Sequence, residues 1–302
     1  MNPRRWLWLF IVVVPLAVGV GRGETLTVAT YNLENYGPAD RMTEAGFRKD
    51  YPKPEAEKRA LRAVIRALNA DVLIVQEMGP QPYLDELRRD LKSEGCDYPF
   101  SALAAAADAD RHVAILSRRP LQGVTTHVDL AFPYFGAKEV VKRGLLEATI
   151  ATERGDLTLF AVHLKSRFTE RPDDPAGAIR RAGEATAIRD AVLKRFPSGS
   201  DRDYLILGDC NDSKPSKALE HLQKRGKTDV VTLLPASDSR GETWTHDYRR
   251  EETYTRVDHI LVSAALRPAV QGGAARIFDA ESVRGASDHR PVIVTLVLAP
   301  KK

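Results

Sequence analysis

The chain has 302 residues, 43% of them hydrophobic, with 45 basic and 41 acidic side chains and a formal charge of +4. That length is ample for a sizeable core, and so small a charge excludes holding a polyanion by a global field, leaving local basic clusters for that work. Two cysteines, Cys96 and Cys210, do not make a disulfide framework, and no bridge between them is expected.

In chain order, Arg4 and Arg5 precede an apolar run from Trp6 to Val20, with Gly19, Gly21 and Gly23 at its end. This reads as a secretory signal peptide over residues 1–23. The alternative, an uncleaved anchor, is disfavoured because the run is short of the ~20 residues of a membrane span. No cysteine lies near the cleavage region, so a lipid anchor is not supported there. Losing Arg4, Arg5 and Arg22 takes the charge from +4 to about +1. The remainder, 24–302, shows no repeat, low-complexity tract or dividing linker and reads as a single domain.

Alternation and short apolar runs predict strands at 26–31, 72–76, 112–117, 144–151, 157–163, 204–207, 257–262 and 292–298. Helical periodicity predicts helices at 54–69, 82–93, 176–195 and 216–224, with Ala60, Leu61, Val64, Ile65 and Leu68 in one stripe of the first and Ser216 as N-cap of the last. The turn at Gly155-Asp156 joins two strands as antiparallel neighbours. Strands and helices interleave with hairpins among them, so the expected class is α/β: two packed mixed sheets with helices outside, a four-layer α/β/β/α sandwich.

Uncommon polar residues fall where the predicted strands end. Asn32 closes the first, Gln76 and Glu77 the second, His163 another, and Asp209 and Asn211 the strand of "YLILGDCND"; Asp258 lies in "RVDHILVS", and Asp288 and His289 precede the last strand. Singly, each has a plain reading: a turn cap, a solvated charge, a surface histidine. Asp258 is the hardest to dismiss, because a carboxylate within an apolar strand is costly to bury unless paired, and His289 is an available partner. Loops at one edge of stacked sheets bring such distant residues together.

In order, "TYNLEN", "QE", "HLKS", "GDCND", "RVDHI" and "SDHRP" resemble the motif series of the endonuclease/exonuclease/phosphatase superfamily, from about Thr25 to Leu298. That superfamily includes deoxyribonuclease-I-like nucleases, abasic-site endonucleases, neutral sphingomyelinases and inositol-polyphosphate 5-phosphatases, and the resemblance implies the same four-layer fold. It implies a metal-dependent phosphoesterase in which Glu77 is the direct metal ligand, Asn32 supports it and Asp288 is a further acidic metal-site residue. The expected ion is Mg²⁺, with Mn²⁺ substituting and Ca²⁺ assisting; an oxygen donor set without a cysteine cluster disfavours zinc. His289 is the expected general base, held in its tautomer by Asp258. Asp209 orients the water, Asn211 donates to the phosphate, and His163 contacts the phosphate or aids the leaving group. Arg143 matches a phosphate-contacting position of the family. Lys165 is expected to face the same way as His163 if the strand continues, and Arg111 is a third cationic candidate, each weighed against a solvated surface charge.

His259 stands where the family often has an aromatic residue and is not counted as catalytic. The segment 241–256 mixes Trp244, Tyr248 and Tyr254 with Arg249, Arg250 and Arg256, which fits either base stacking and phosphate contact or a hairpin packed on the sheet. The leading expectation is an exported nuclease acting on DNA, with a phospholipid or small-molecule phosphoesterase as the alternative and a non-catalytic binding module behind both. No stable protein partner is implied. No long amphipathic segment points to membrane insertion after the leader is removed.

Overall fold

The computed structural model describes residues 23–43, 45–280, 283 and 285–301. The leader expected at the N-terminus lies outside the described residues, apart from Gly23. Among the described residues no helix is long and apolar enough to cross a membrane.

Two mixed sheets pack face to face. One has seven strands in the order Ala236–Ser237, Ala275–Ile277, Val292–Leu298, Glu24–Asn32, Val72–Met78, His112–Ser117 and Phe100–Leu103. The other has six, in the order Val231–Leu233, Asp258–Ser263, Asp203–Asp209, Gly155–His163, Leu145–Thr152 and Gln122–His127. Val28, Ile74 and Ile115 from the first sheet meet Leu159, Leu207 and Ile260 from the second in an apolar central layer. Helices Glu55–Leu68 and Gln81–Ser93 cover the outer face of the seven-stranded sheet, with Leu61, Val64, Ile65 and Leu68 on the buried stripe. Helices Ala178–Arg195 and Lys217–Gln223 cover the outer face of the other. The result is the four-layer α/β/β/α sandwich that the sequence predicts. Cys96 and Cys210 are free and buried in opposite outer layers.

Local chemistry explains the elements that carry the site. Ser216 accepts the Leu219 N–H at 3.3 Å and caps the helix Lys217–Gln223. Thr152 pairs with Gly155 at the tight turn, so the flanking strands run antiparallel as expected. Gly208 has a φ of 148°, and a Cβ there would lie 1.9 Å from the Val162 carbonyl oxygen. Only glycine lets strand Asp203–Asp209 lie this close to its parallel neighbour and deliver the next residue, Asp209, to the sheet edge.

Several elements were not predicted. The hairpins Ala39–Thr43/Gly46–Tyr51 and Ala131–Tyr134/Ala137–Val140, and the strands Phe100–Leu103 and Gln122–His127, are short and mostly exposed or half-buried. They lack the apolar alternation that marks a strand packed on a core. The segment 241–256 forms a small hairpin, His246–Tyr248 with Thr253–Thr255. Trp244 is held there between the Arg290 guanidinium, 3.5 Å from its ring centre, and Tyr254.

Candidate active site

The site lies at the edge where both sheets present the ends of their central strands. In the six-stranded sheet, His163 stands opposite Asp209 in parallel register and Asp209 opposite Asp258 in antiparallel register, placing three ionisable side chains in one row. In the seven-stranded sheet, Asn32 stands opposite Gln76, and His289 leads into the strand Val292–Leu298. Two hydrogen bonds tie the sheets together at this edge. Asn32 Nδ2 donates to Asp209 Oδ2 at 3.0 Å, and His289 Nδ1 lies 2.8 Å from Asp258 Oδ2.

Asp209 is the hub. Its Oδ1 accepts the Asn211 N–H at 2.7 Å and its Oδ2 the Asn211 amide at 3.2 Å, while His163 Nε2 and His289 Nε2 lie 3.5 and 4.0 Å from Oδ2. Asn211 reaches these positions with a φ of 50°, which asparagine tolerates better than most residues, and also donates to the Leu164 carbonyl. Burial, followed by the charge of Asp258, pushes the Asp209 carboxyl up to about 6. Burial lowers His163 well below the usual histidine value, with Arg143 next in effect, so its ring is neutral. Burial also opposes charge on His289, but Asp258, Asp209 and Asp288 outweigh it and hold that ring well above the usual value. Thr245 fixes the partner: its hydroxyl accepts the N–H groups of Val257 and Asp258.

Asp288 is half-buried beside this row. Its N–H donates to Glu34 Oε2 at 3.1 Å, and its Oδ2 lies 3.6 Å from His246 Nε2. Burial and then the Asp288 charge raise the Glu34 carboxyl, opposed by Lys53, whose Nζ lies 4.0 Å from Glu34 Oε2. Glu77, at a φ of 57°, turns its Oε2 to accept the Asn35 N–H at 2.9 Å. It lines a groove of about 940 Å³ together with Arg111, Arg143 and Lys165. Glu77 belongs to neither of the compact groups of three potential metal ligands, which are Asp209/Asp258/His289 and His246/Asp288/His289.

The three cations differ in their surroundings. Arg143 is buried, paired with Asp108 at 2.8 Å and bonded to the Leu164 carbonyl. Arg111 Nε donates to Asn35 Oδ1 at 2.9 Å and has no carboxylate partner among the described residues. Lys165 departs from expectation. The strand stops at His163, so the alternation that would align the two side chains is lost. The Lys165 ammonium turns instead to the carbonyls of Ser166 and Phe168 and the Ser166 hydroxyl. Burial, then Arg143, lowers it to about 8.

His259, not counted as catalytic in the sequence, is buried with Nε2 2.9 Å from the Asp212 carbonyl oxygen and lowered to about 4 by burial and then Arg256. Glu34 and His246 were not predicted as site residues. Glu34 lies two residues beyond Asn32 in "TYNLEN", a signal that was available; nothing local in the sequence marks His246.

A divalent cation fits this chemistry. Asp258 Oδ1 and His163 Nδ1 are buried without a hydrogen-bond partner, and Glu34 and Asp288 repel each other beside them.

Fold and cluster together define the class: a phosphoesterase fold with its polar centre where two packed sheets end. The chain belongs to the Endonuclease/Exonuclease/phosphatase family, whose model matches residues 29–289. Members of that family are in general metal-dependent hydrolases of phosphoester bonds. Among solved structures, the chain is similar to an endonuclease/exonuclease/phosphatase from Bacteroides vulgatus, at 18% identity and a TM-score of 0.64 over 91% of this chain and 99% of that one. It is similar to a mutant beta toxin from Staphylococcus aureus with bound magnesium ions, at 17% identity and a TM-score of 0.61 over 90% and 99%. It is also similar to the sphingomyelinase C of Streptomyces griseocarneus, at 16% identity and a TM-score of 0.60 over 90% and 99%. At these identities the likeness is one of fold. No curated protein sequence matches the chain.

Proposed function

We propose that this protein is an exported, divalent-metal-dependent phosphodiester hydrolase acting on nucleic acid, DNA foremost. The observation that carries the reading is the row His163–Asp209–Asp258 completed from the other sheet by His289 and Asn32. The export clause rests on the sequence of residues 1–23 alone.

His289 Nε2 and Asp209 Oδ2 are 4.0 Å apart, a gap across which one water can hydrogen-bond to both. With the His289 ring in its neutral form, the water gives a proton to Nε2 as its oxygen attacks phosphorus, and Asp258 stabilises the imidazolium so formed through Nδ1–H. Asn211 and the cations Arg143, Arg111 and Lys165 orient the phosphate and stabilise the charge that develops on it. His163, neutral, supplies a ring nitrogen to the leaving side of the row. Glu77, Asn32 and Asp288 are the residues assigned to the cation, with Glu34 beside them. When bound, a divalent cation neutralises phosphate charge and stabilises the departing oxygen.

A chain-like substrate is favoured because a groove that none of the row residues lines adjoins the row at Glu77 and Arg143. It runs from Glu77 and Arg111 to Tyr134, Phe168 and Arg180, and Arg111, Lys142 and Lys165 have no carboxylate within ion-pair distance among the described residues. Cations with aromatic neighbours suit a phosphate backbone and its bases. The second reading, a phospholipid headgroup diesterase, draws on exposed apolar side chains such as Phe168 at the groove and on the fold likeness to a sphingomyelinase. A panel of plasmid DNA, RNA, sphingomyelin vesicles and a phosphomonoester with Mg²⁺ or Mn²⁺ separates the readings. EDTA-sensitive cleavage of DNA is expected. Cleavage of the vesicles alone would transfer the assignment to the lipid.

A further inference from the structure

His246 approaches the proposed centre from a hairpin that the family resemblance does not explain. Its backbone forms an isolated antiparallel bridge with His289, and Asp247 N–H donates to the Asp288 carbonyl at 2.9 Å. These two contacts fix where the imidazole can be. The ring lies 4.5 Å from that of His289, centre to centre, tilted by 36°. Its Nε2 is 3.6 Å from Asp288 Oδ2.

A separation of 3.6 Å is too long for a good hydrogen bond. Two ligands at right angles on one ion, each bonded at about 2.1 Å, sit about 3 Å apart, so a small adjustment closes this pair on a cation. His246 Nε2, the Asp288 carboxylate and His289 Nε2 form a group whose ligand atoms lie within 4.8 Å of one another. His289 Nδ1 is committed to Asp258 and its Nε2 to the water of the proposed reaction, so His246 and Asp288 are the members of this group left to the cation. Glu34 adds a second carboxylate nearby, its Oε2 accepting the Asp288 N–H at 3.1 Å. The cationic competitors for these acids are Lys53, 4.0 Å from Glu34, and Arg249, whose charge reaches both Asp288 and Glu34.

We propose that His246 supplies an imidazole nitrogen, beside the Asp288 carboxylate, to the divalent cation of this centre, making it a mixed nitrogen–oxygen site. The proposal rests on the assignment of Asp288 to the cation made above. Imidazole favours Mn²⁺, Co²⁺ and Zn²⁺ over Mg²⁺, whereas carboxylate, carbonyl and water alone suit Mg²⁺. The site is therefore biased toward nitrogen-accepting ions, against the all-oxygen preference that the sequence motifs imply.

The test uses the protein without substrate. Mn²⁺ and Mg²⁺ affinities are measured by calorimetry, and nitrogen coupling to bound Mn²⁺ by pulsed electron paramagnetic resonance. Wild type is expected to show imidazole coupling, and His246→Gln to lose coupling intensity together with about a tenfold fall in Mn²⁺ affinity relative to Mg²⁺. His246→Asp, which returns an oxygen ligand, is expected to keep Mg²⁺ affinity while losing the same coupling. A near-ultraviolet dichroism spectrum matching wild type shows that each variant is folded. If wild type binds Mn²⁺ and both variants keep its coupling and its Mn²⁺ to Mg²⁺ ratio, the nitrogen ligand is overturned and the Asp288 assignment stands. If wild type binds neither ion, the metal assignment and this proposal both fall.

Discussion

Asp209 and Asp258 stand directly opposite each other on neighbouring antiparallel strands, both fully buried, yet each has a side-chain partner on the other sheet. Asn32 reaches Asp209 and His289 reaches Asp258. Two buried carboxylates side by side are unfavourable unless positive charge is near. Here the charge comes from His289, whose raised pKa follows from that proximity.

Asp258→Asn removes the strongest influence raising the His289 pKa, so that pKa falls. Nuclear magnetic resonance titration of the His289 ring in the metal-free protein measures the change. The linked stability has a definite sign. Because the folded pKa is raised, this pair stabilises the fold fully below the unfolded histidine value near 6.5, and the contribution is lost as pH rises through the folded value. The stability gap between wild type and Asp258→Asn is therefore widest under acid conditions and narrows above neutrality, as urea unfolding at several pH values will show. Hydrolysis falls by about 10²–10⁴-fold in the same variant, from loss of the oriented base.

Lys165 loses its proton near pH 8, a value set by burial and then by Arg143. The contribution to phosphate binding proposed for it is complete below that pH and disappears above it. KM for a phosphodiester should rise through pH 8 in wild type. Lys165→Arg, which stays charged, flattens that limb. A KM profile with the same rise in both proteins removes Lys165 from substrate binding.

Gly208→Ala tests how the row is delivered. The added Cβ meets the Val162 carbonyl at 1.9 Å on a backbone with φ 148°, so strands Asp203–Asp209 and Gly155–His163 must separate. The expected cost is about 3–5 kcal/mol of stability, read from denaturant midpoints, with activity lost as Asp209 shifts from Asn32.

Much of the site was legible because its residue types are out of place where they occur. A carboxylate and an amide closing the run Leu205–Gly208, or Asp258 at the start of a buried strand, demand partners, and the structure supplies them in His163, His289 and Asn32. Lys165 was read along a strand that ends two residues earlier, and carbonyls of its own loop capture the ammonium. His246 sits on a three-residue strand with no apolar periodicity, and only the bridge to His289 brings it to the centre. The surface hairpins were illegible for the same reason. Their residues answer to pairing across a turn rather than to a buried face.

The most direct measurement is hydrolysis of plasmid DNA and bis-nitrophenyl phosphate by wild type and His289→Ala, each with Mg²⁺ or Mn²⁺ before and after EDTA. Cleavage by wild type that EDTA abolishes, and a fall of about 10²–10⁴-fold in a folded His289→Ala protein, is the predicted result. Undiminished cleavage by His289→Ala, or no cleavage of either diester by wild type with any divalent ion, would contradict the assignment of this row of histidines and aspartates as a phosphodiesterase centre.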